Sequence, residues 1–259
     1  MLLKNIDYHI IDKCNLNCKS CNHFSPLVVN DNVIDPHKAE NDFEILKKFE
    51  NRFKLLTILG GEALLNKYIS DILVSANQHF PNKIKLITNG VLKNNLILLK
   101  PVICSNNIQL TITEYPFIKE YRKHYDKLKE LFPFAEFYTF RHEHGFISEH
   151  MSYNVQNTKK DLLLKCDKRN KCCNYVDGRL YICHYAAFIN NLKNITNIDF
   201  SNNDSYIDLT KCSAAEFDDF FNEQIPEICK HCLYVKKPYE QLNKSHWELS
   251  KKEAHEWIK

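Results

Sequence analysis

The sequence predicts an α/β protein: a partial (β/α)6 TIM-like barrel of parallel strands, followed by a small cysteine-rich unit. Two observations carry this prediction. Short β-like runs alternate with helical stretches over the first 140 residues or so, and cysteines become dense where that alternation fades. A chain of 259 residues with 44% hydrophobic residues can also bury a substantial core. Repeated βα units favour parallel strands whose functional loops lie at their carboxyl ends.

The strands and helices follow from local signals. Asp35 can cap a helix that Pro36 begins, and apolar residues at helical spacing predict further helices near 69–76, 92–99 and 119–131. Gly-Gly and Asn-Gly pairs end two of the apolar runs, as expected for strands that close in turns. The predicted strands are 6–11, 54–59, 84–88, 108–113 and 135–140.

The same patterns predict three units along the chain. Residues 1–150 form the partial barrel, and 151–237 form a small C-terminal unit that a metal centre organises more than its own core does. Residues 238–259 are polar and predict a helical tail.

Charge and composition exclude several classes of protein. The formal charge is only +3, and basic and acidic residues are interspersed, so a nucleic-acid partner is not expected. No apolar run is long enough to span a bilayer, and charged residues interrupt the start of the chain, which predicts a cytoplasmic protein that binds no membrane. Eleven cysteines in a reducing compartment point to metal or cluster ligation.

Cys14, Cys18 and Cys21 form a C-x3-C-x2-C loop directly after the first predicted strand. Each of three thiolates can bind one iron of a four-iron cubane cluster, which leaves the fourth iron without a protein ligand. Structural zinc is the alternative, but zinc sites are usually closed by four ligands, so His23 would have to be the fourth.

This spacing, in this place, resembles the signature of the radical S-adenosylmethionine (SAM) superfamily. The resemblance implies a [4Fe-4S] cluster whose open iron binds SAM, and an electron donor such as flavodoxin or ferredoxin. One position departs from the pattern, because Ser20 stands where an aromatic residue near the adenine is common. Phe24 is the expected substitute for that surface.

Three further motifs agree with the resemblance. Gly60-Gly61-Glu62 follows the second strand and is similar to the GGE motif that binds the SAM amino group. Thr88-Asn89-Gly90 looks like the TNG motif that lines the cofactor cleft. Thr113, on the next strand, resembles a ribose or carboxylate contact, although threonine is also ordinary strand composition. The predicted cofactor-binding residues are Gly60, Gly61, Glu62, Thr88, Asn89 and Thr113.

A second cysteine set lies in the C-terminal unit. Cys166, Gly178 and Cys183 give C-x11-G-x4-C, and Cys229 and Cys232 follow as C-x2-C. The pattern resembles the twitch domain, the shortened relative of the SPASM domain, which implies an auxiliary [4Fe-4S] cluster closed by four thiolates. A four-cysteine zinc ribbon is the alternative. Cys172 or Cys173 could replace Cys166 as a ligand.

The resemblance implies reductive cleavage of SAM to a 5′-deoxyadenosyl radical that removes a hydrogen atom from a small-molecule substrate. The length and cysteine layout are similar to those of aminocyclitol dehydrogenases, so we expect oxidation or epimerisation of a carbohydrate or aminocyclitol. The catalytic candidates are Arg141, Cys172 and Cys173.

Two other functions stay open. A peptide-modifying maturase would use the same clusters, but the short stretch before Ile6 leaves no room for a peptide-recognition segment. A zinc-binding adaptor without enzyme activity would have no need of Glu62.

Overall fold

The computed structural model describes residues 2–139, 150–155, 164, 166, 168–198, 200–234 and 247–259. The strands in these ranges are β1 (Leu3–His9), β2 (Phe53–Leu59), β3 (Ile84–Thr88), β4 (Gln109–Glu114), β5 (Glu136–Thr139), β6 (Cys173–Val176), β7 (Arg179–Tyr181) and β8 (Tyr206–Asp208). The helices are α1 (Pro36–Lys47), α2 (Ile69–His79), α3 (Lys93–Ser105), α4 (Tyr121–Leu131), α5 (Lys168–Lys171), α6 (His184–Phe188), α7 (Ala214–Glu223) and α8 (Glu227–His231).

All these strands belong to one sheet, in the order β5-β4-β3-β2-β1-β6-β7-β8. Strands β1 to β5 are parallel to their neighbours, and β6 continues the parallel set on the other side of β1. Strands β7 and β8 are antiparallel. Within the described residues the sheet is open, with β5 and β8 at its edges, so the predicted α/β fold with an incomplete barrel is confirmed.

Local sequence explains several of these elements. The side chain of Asp35 accepts a hydrogen bond of 2.8 Å from the backbone of Lys38, and Pro36 occupies the first position of α1. Asp177 and Gly178 both have positive φ, 48° and 78°, which produces the tight turn between β6 and β7. Strands β6 and β7 therefore form a hairpin, and Cys183 follows it.

Buried polar contacts join the cysteine-rich unit to the barrel. Asp42 on α1 accepts hydrogen bonds from the hydroxyls of Tyr8 on β1, at 2.8 Å, and Tyr175 on β6, at 2.9 Å. Lys38 completes the cluster at 2.7 Å from the same carboxylate. The sheet thus runs without a break through the predicted boundary at residue 150, and the division into 1–150, 151–237 and 238–259 stays a prediction.

The predicted helical tail differs from the structure. Residues 247–259 contain a single short 3-10 helix, Ala254–Glu256, and are otherwise extended or irregular. Several of their backbone groups bond to distant parts of the chain, such as Asn17 and Met151, in place of helical partners. Residues 238–246 of the predicted tail lie outside the described ranges.

The helices are short compared with a bilayer. The longest described helix, α3, has 13 residues, whereas a membrane-spanning helix needs about 20 apolar residues. Among the described segments, no helix is long and apolar enough to cross a membrane.

Candidate active site

The glycine pair after β2 lies directly against the chain that enters the cysteine loop. A Cβ on Gly60 would lie 2.3 Å from the carbonyl oxygen of Ile11, and one on Gly61 would lie 2.3 Å from that of Lys13. The Gly61 amide donates to Ile11 O at 2.9 Å and the Glu62 amide to Lys13 O at 3.0 Å. Because Gly60 and Gly61 have no side chains, a ligand can approach this turn closely. In the structure, the backbone that enters the cysteine loop packs there as well.

Glu62 is almost completely buried at the end of this turn, with 1% of its surface exposed. Its Oε1 accepts hydrogen bonds from the Thr88 hydroxyl at 2.6 Å and the Leu64 amide at 3.0 Å, and its Oε2 accepts from the Asn89 amide at 2.8 Å. Burial raises the pKa of Glu62, and these three donors act against that rise. The carboxylate is fixed in one orientation and still lacks a cationic partner among the described residues.

The Thr88-Asn89-Gly90 turn connects Glu62 to the first cysteine. The Asn89 side chain donates to Asn15 Oδ1 at 2.7 Å and approaches Cys14 Sγ at 3.8 Å. Gly90 has φ of 68°, a conformation that favours glycine, and its amide bonds to the Thr88 hydroxyl at 3.0 Å. The GGE and TNG motifs therefore lie together beside the cysteine loop.

The three loop thiols lie close enough to influence one another. Burial raises the pKa of Cys14 to about 12, and it raises the pKa values of Cys18 and Cys21 as well. Each pair within the set adds to this rise through charge repulsion between the two thiols. Buried thiols become ligands only as thiolates, so this donor set requires a positively charged centre to hold its negative charge.

The C-terminal segment, residues 247–259, covers the cysteine loop. The Lys19 amide donates to Glu248 O at 2.9 Å, and the Ser20 hydroxyl donates to Glu256 O at 2.8 Å. The indole of Trp257 donates to Cys21 O at 2.8 Å. The sequence analysis missed this role, since nothing in the local pattern of the segment indicates a partner more than 200 residues away.

The expectation for Phe24 was wrong. Its ring is fully buried and packs on His150, Tyr185 and Trp257, away from the cavity described below. Tyr115, which follows β4, is the aromatic residue on the cavity wall. Its hydroxyl is near enough to Cys14, Cys18 and Cys21 for these thiols to raise its pKa, after burial as the main cause.

One open cavity of about 270 Å³ connects these parts at the carboxyl ends of the parallel strands. All six cofactor-binding residues predicted from the sequence lie on its wall, together with Cys21 and Tyr115; the six are Gly60, Gly61, Glu62, Thr88, Asn89 and Thr113.

The other end of this cavity is polar, and Cys172 is the one residue of its described wall that was predicted from the sequence. It is formed by β1, the turn after Cys21 and the segment around α5. Its wall residues are Asn5, Asp7, Asn22, His23, Lys168, Lys171, Cys172 and His184. Arg141, the remaining catalytic candidate, lies outside the described residues.

Asp7 in this polar end gives a prediction about pH. Burial raises its pKa to about 7, with the Asn5 amide acting against the rise. The folded protein therefore binds the proton more tightly than the unfolded chain, and the residue costs stability progressively as pH rises from about 4 to about 7. We expect the free energy of unfolding of Asp7→Asn, relative to that of the parent, to increase by about 1 kcal/mol between pH 6 and pH 8.5. Chemical unfolding measures this difference.

Asp219→Asn is the control, because Asp219 is exposed on α7. Its difference from the parent should stay constant over the same pH range. A constant difference for Asp7→Asn too would contradict the burial argument.

A second, much smaller cavity of about 20 Å³ lies beside the first. All four predicted auxiliary ligands line it, namely Cys166, Cys183, Cys229 and Cys232. Lys168 lies on the walls of both cavities, so the two are neighbours.

The adjacent cysteines 172 and 173 point to different places. Cys172 lies on the wall of the first cavity, not the second. Cys173 is fully buried at the start of β6, and its Sγ contacts Arg169 O at 2.8 Å. This geometry favours Cys166 over either neighbour as the fourth cysteine of the second set, and it removes Cys173 from contact with the first cavity.

The sulfur spacing bears on the choice between zinc and a cluster. Tetrahedral zinc with bonds of about 2.3 Å places its sulfur ligands about 3.8 Å apart, whereas a cubane holds its cysteines farther apart. Within the described ranges, only Glu40 and Glu44 of α1 and His79 of α2 bring three possible ligand atoms within 4.8 Å of one another. Among the described residues, neither cysteine set brings three sulfur atoms within 4.8 Å of one another.

Known proteins share parts of this arrangement. Residues 8–127, which contain all three barrel motifs, match the family described as 4Fe-4S single cluster domain. The probable GTP 3′,8-cyclase of Methanocaldococcus jannaschii is 31% identical over 96 residues, or 36% of this chain and 31% of that protein. The chain thus matches less than a third of the length of this curated relative.

Two solved structures share the fold over most of the chain. BtrN in complex with AdoMet and 2-DOIA has a TM-score of 0.57 at 16% sequence identity, over 93% of this chain and 99% of that one. Selenomethionyl BtrN in an open conformation has a TM-score of 0.50 at 16% identity, over 90% and 93% of the two chains. The comparisons thus show a 4Fe-4S single cluster domain over residues 8–127 and a fold that BtrN shares over most of the chain.

Proposed function

We propose that this protein is a radical SAM enzyme that acts on a small polar substrate of the carbohydrate or aminocyclitol class. The observation that carries the proposal is the first cavity, which joins Cys21 and the GGE and TNG turns at one end to a polar, titratable wall at the other. A cofactor and a substrate can therefore lie side by side at the carboxyl ends of the strands.

The residues at the first end suit the proposed cofactors. Cys14, Cys18 and Cys21 offer three thiolates, and a four-iron cluster held by three cysteines keeps one iron for SAM. Glu62 is a buried carboxylate next to these thiols, and the SAM ammonium would supply the cation it lacks within the described chain. When bound, the cluster and SAM would supply a 5′-deoxyadenosyl radical that removes a hydrogen atom from the substrate.

The residues at the second end suit a substrate rich in hydroxyl or amino groups. Asp7 can accept hydrogen bonds from such groups, and Lys168 and Lys171 can donate them. His23 and His184 add ring nitrogens on the same wall. BtrN, whose fold the chain shares, is known in complex with AdoMet and 2-DOIA, which supports a small-molecule substrate here as well.

Oxidation and epimerisation remain two outcomes of this proposal. The neighbouring cavity with Cys166, Cys183, Cys229 and Cys232 supports oxidation, because an auxiliary cluster there could accept the electron that a substrate radical loses together with a proton. The thiol of Cys172 on the wall of the first cavity supports epimerisation, because it could return a hydrogen atom to the substrate. Substrate turnover by Cys172→Ala separates the two: oxidation survives this change and epimerisation stops.

Glu62→Gln tests the proposed SAM site. The glutamine keeps the size of the side chain but loses the charge, and its NH2 group would face the Asn89 amide, which is also a donor. Losing a charge-assisted hydrogen bond in a buried site should weaken SAM binding by about 10- to 100-fold. The measurement is SAM affinity together with 5′-deoxyadenosine formation after anaerobic reconstitution and reduction.

Glu114→Gln is the matched control. Glu114 is also buried at the end of a parallel strand, but its partners are Tyr121 and Lys129, and it does not line the cavity. SAM binding should be unchanged in this variant. A wild-type chain that holds tightly bound zinc and cleaves no SAM would instead identify a zinc-binding adaptor and reject the proposal.

A further inference from the structure

Arg169 is a buried cation that the proposed reaction does not use. It follows Lys168 in α5, lines the second cavity and is only 4% exposed. Its guanidinium donates to the carbonyl oxygens of Phe221 and Gln224, both at 2.8 Å, and to that of Phe220 at 3.5 Å. These carbonyls belong to the C-terminal end of α7, where a positive side chain is favourable.

Backbone carbonyls alone do not balance a buried charge. In the described part of the chain, no carboxylate lies within ion-pair distance of Arg169. A buried ion without an opposite charge is strongly disfavoured. A negatively charged group in the second cavity would balance the charge of Arg169.

The four cysteines of that cavity are the groups placed to provide it. Cys166, Cys183, Cys229 and Cys232 line the cavity together with Arg169. The backbone amide of Arg169 also donates to the carbonyl oxygen of Cys166 at 3.2 Å. All four cysteines are predicted ligands of the auxiliary cluster.

We propose that Arg169 is the counter-charge of the auxiliary cluster and sets its reduction potential. The inference rests on the proposed function, in that it takes the second cysteine set to hold an iron–sulfur cluster. Four thiolates leave such a cluster with net negative charge, and one added electron makes that charge larger. A fixed guanidinium in a low-dielectric site stabilises the reduced form more than the oxidised form, so it raises the potential.

This role has a consequence for oxidation of the substrate. A higher potential makes the auxiliary cluster a better acceptor for the electron that the substrate radical gives up when it also loses a proton. Arg169 is thus a positioning residue, which acts on the reaction through the charge it places beside the cluster. It does not line the substrate cavity.

The test compares variants that remove the charge with one that keeps it. In a variant where Cys14, Cys18 and Cys21 are alanine, only the auxiliary cluster contributes to the EPR signal. Arg169→Met and Arg169→Gln should shift the midpoint potential of this cluster to lower values in an EPR-monitored redox titration. Arg169→Lys should stay close to the parent, because it keeps the charge although it loses the planar fork.

Arg52→Met is the matched control. Arg52 also binds α7, through Asp218 at 2.9 Å, but it does not line the second cavity. Its variant should leave the potential unchanged. Equal potentials in Arg169→Met, Arg169→Gln and the parent, at full cluster content, would overturn the inference and leave the proposed function intact.

Cluster assembly provides a second measurement. If Arg169→Met and Arg169→Gln take up no iron, Arg169→Lys distinguishes the two explanations. A cluster that assembles in Arg169→Lys with a near-parental potential supports the role of the charge. If no cluster assembles in Arg169→Lys, Arg169 acts only by closing the end of α7, and the inference is overturned. A parent protein that assembles no second cluster would overturn both the inference and the auxiliary-cluster part of the proposed function.

Discussion

Replacing Cys14, Cys18 and Cys21 together with alanine is expected to abolish SAM cleavage and leave the second cysteine set loaded. The physical reason is that Cys21 lines the first cavity with Glu62 and Asn89, and Cys14 and Cys18 belong to the same loop, while the four cysteines of the second set line a separate cavity. Iron content should fall from about eight to about four atoms per chain. Iron and sulfide analysis and 5′-deoxyadenosine formation after reduction measure the two effects.

The reciprocal variant sharpens this result. Alanine at Cys183, Cys229 and Cys232 should lower the iron content to the same level but keep SAM cleavage, because the first cavity stays intact. Cys104→Ala is the control, since Cys104 is exposed on α3 and lines neither cavity. If the first triple variant still cleaved SAM, the assignment of the two cysteine sets would be wrong.

The part of the site that the sequence predicted is the part that local chemistry determines. Gly60, Glu62 and Asn89 follow strands that end at one edge of a parallel sheet, and side chains at that edge must meet. Knowing the order of the βα units was therefore enough to place these residues together. The structure brings all of them to one cavity wall.

The part that was missed depends on contacts between distant segments. Asp7 looked like an ordinary residue of the first strand, and only the approach of the α5 region makes it the wall of a cavity. Trp257 closes over Cys21 through a hydrogen bond between residues 236 positions apart. No periodicity or turn signal in either segment carries this information.

The two adjacent cysteines show a case where more could have been predicted. Neighbouring residues entering a strand point to opposite sides. Cys172 and Cys173 therefore could not both face the substrate. The structure agrees, since Cys173 is buried and Cys172 reaches the cavity.

Gly61→Ala is expected to be the most damaging single substitution of a residue that ligates nothing. The new Cβ would lie 2.3 Å from Lys13 O and 2.4 Å from Asp12 O, and both atoms are backbone of the chain that enters the cysteine loop. Neither can rotate away, so the turn or the loop has to move. We expect a loss of at least about 3 kcal/mol in stability, together with loss of the first cluster.

Gly178→Ala is the comparison that isolates this cause. Gly178 has φ of 78°, so alanine is strained there, but the nearest atom to its Cβ is a methyl group of Thr210 at 2.8 Å, on a side chain that can rotate. The cost should be about 1 kcal/mol, with both clusters retained. Thermal unfolding and iron content measure both variants. If Gly61→Ala kept full iron and parental stability, the close contact between the GGE turn and the cysteine loop would not be what holds that loop in place.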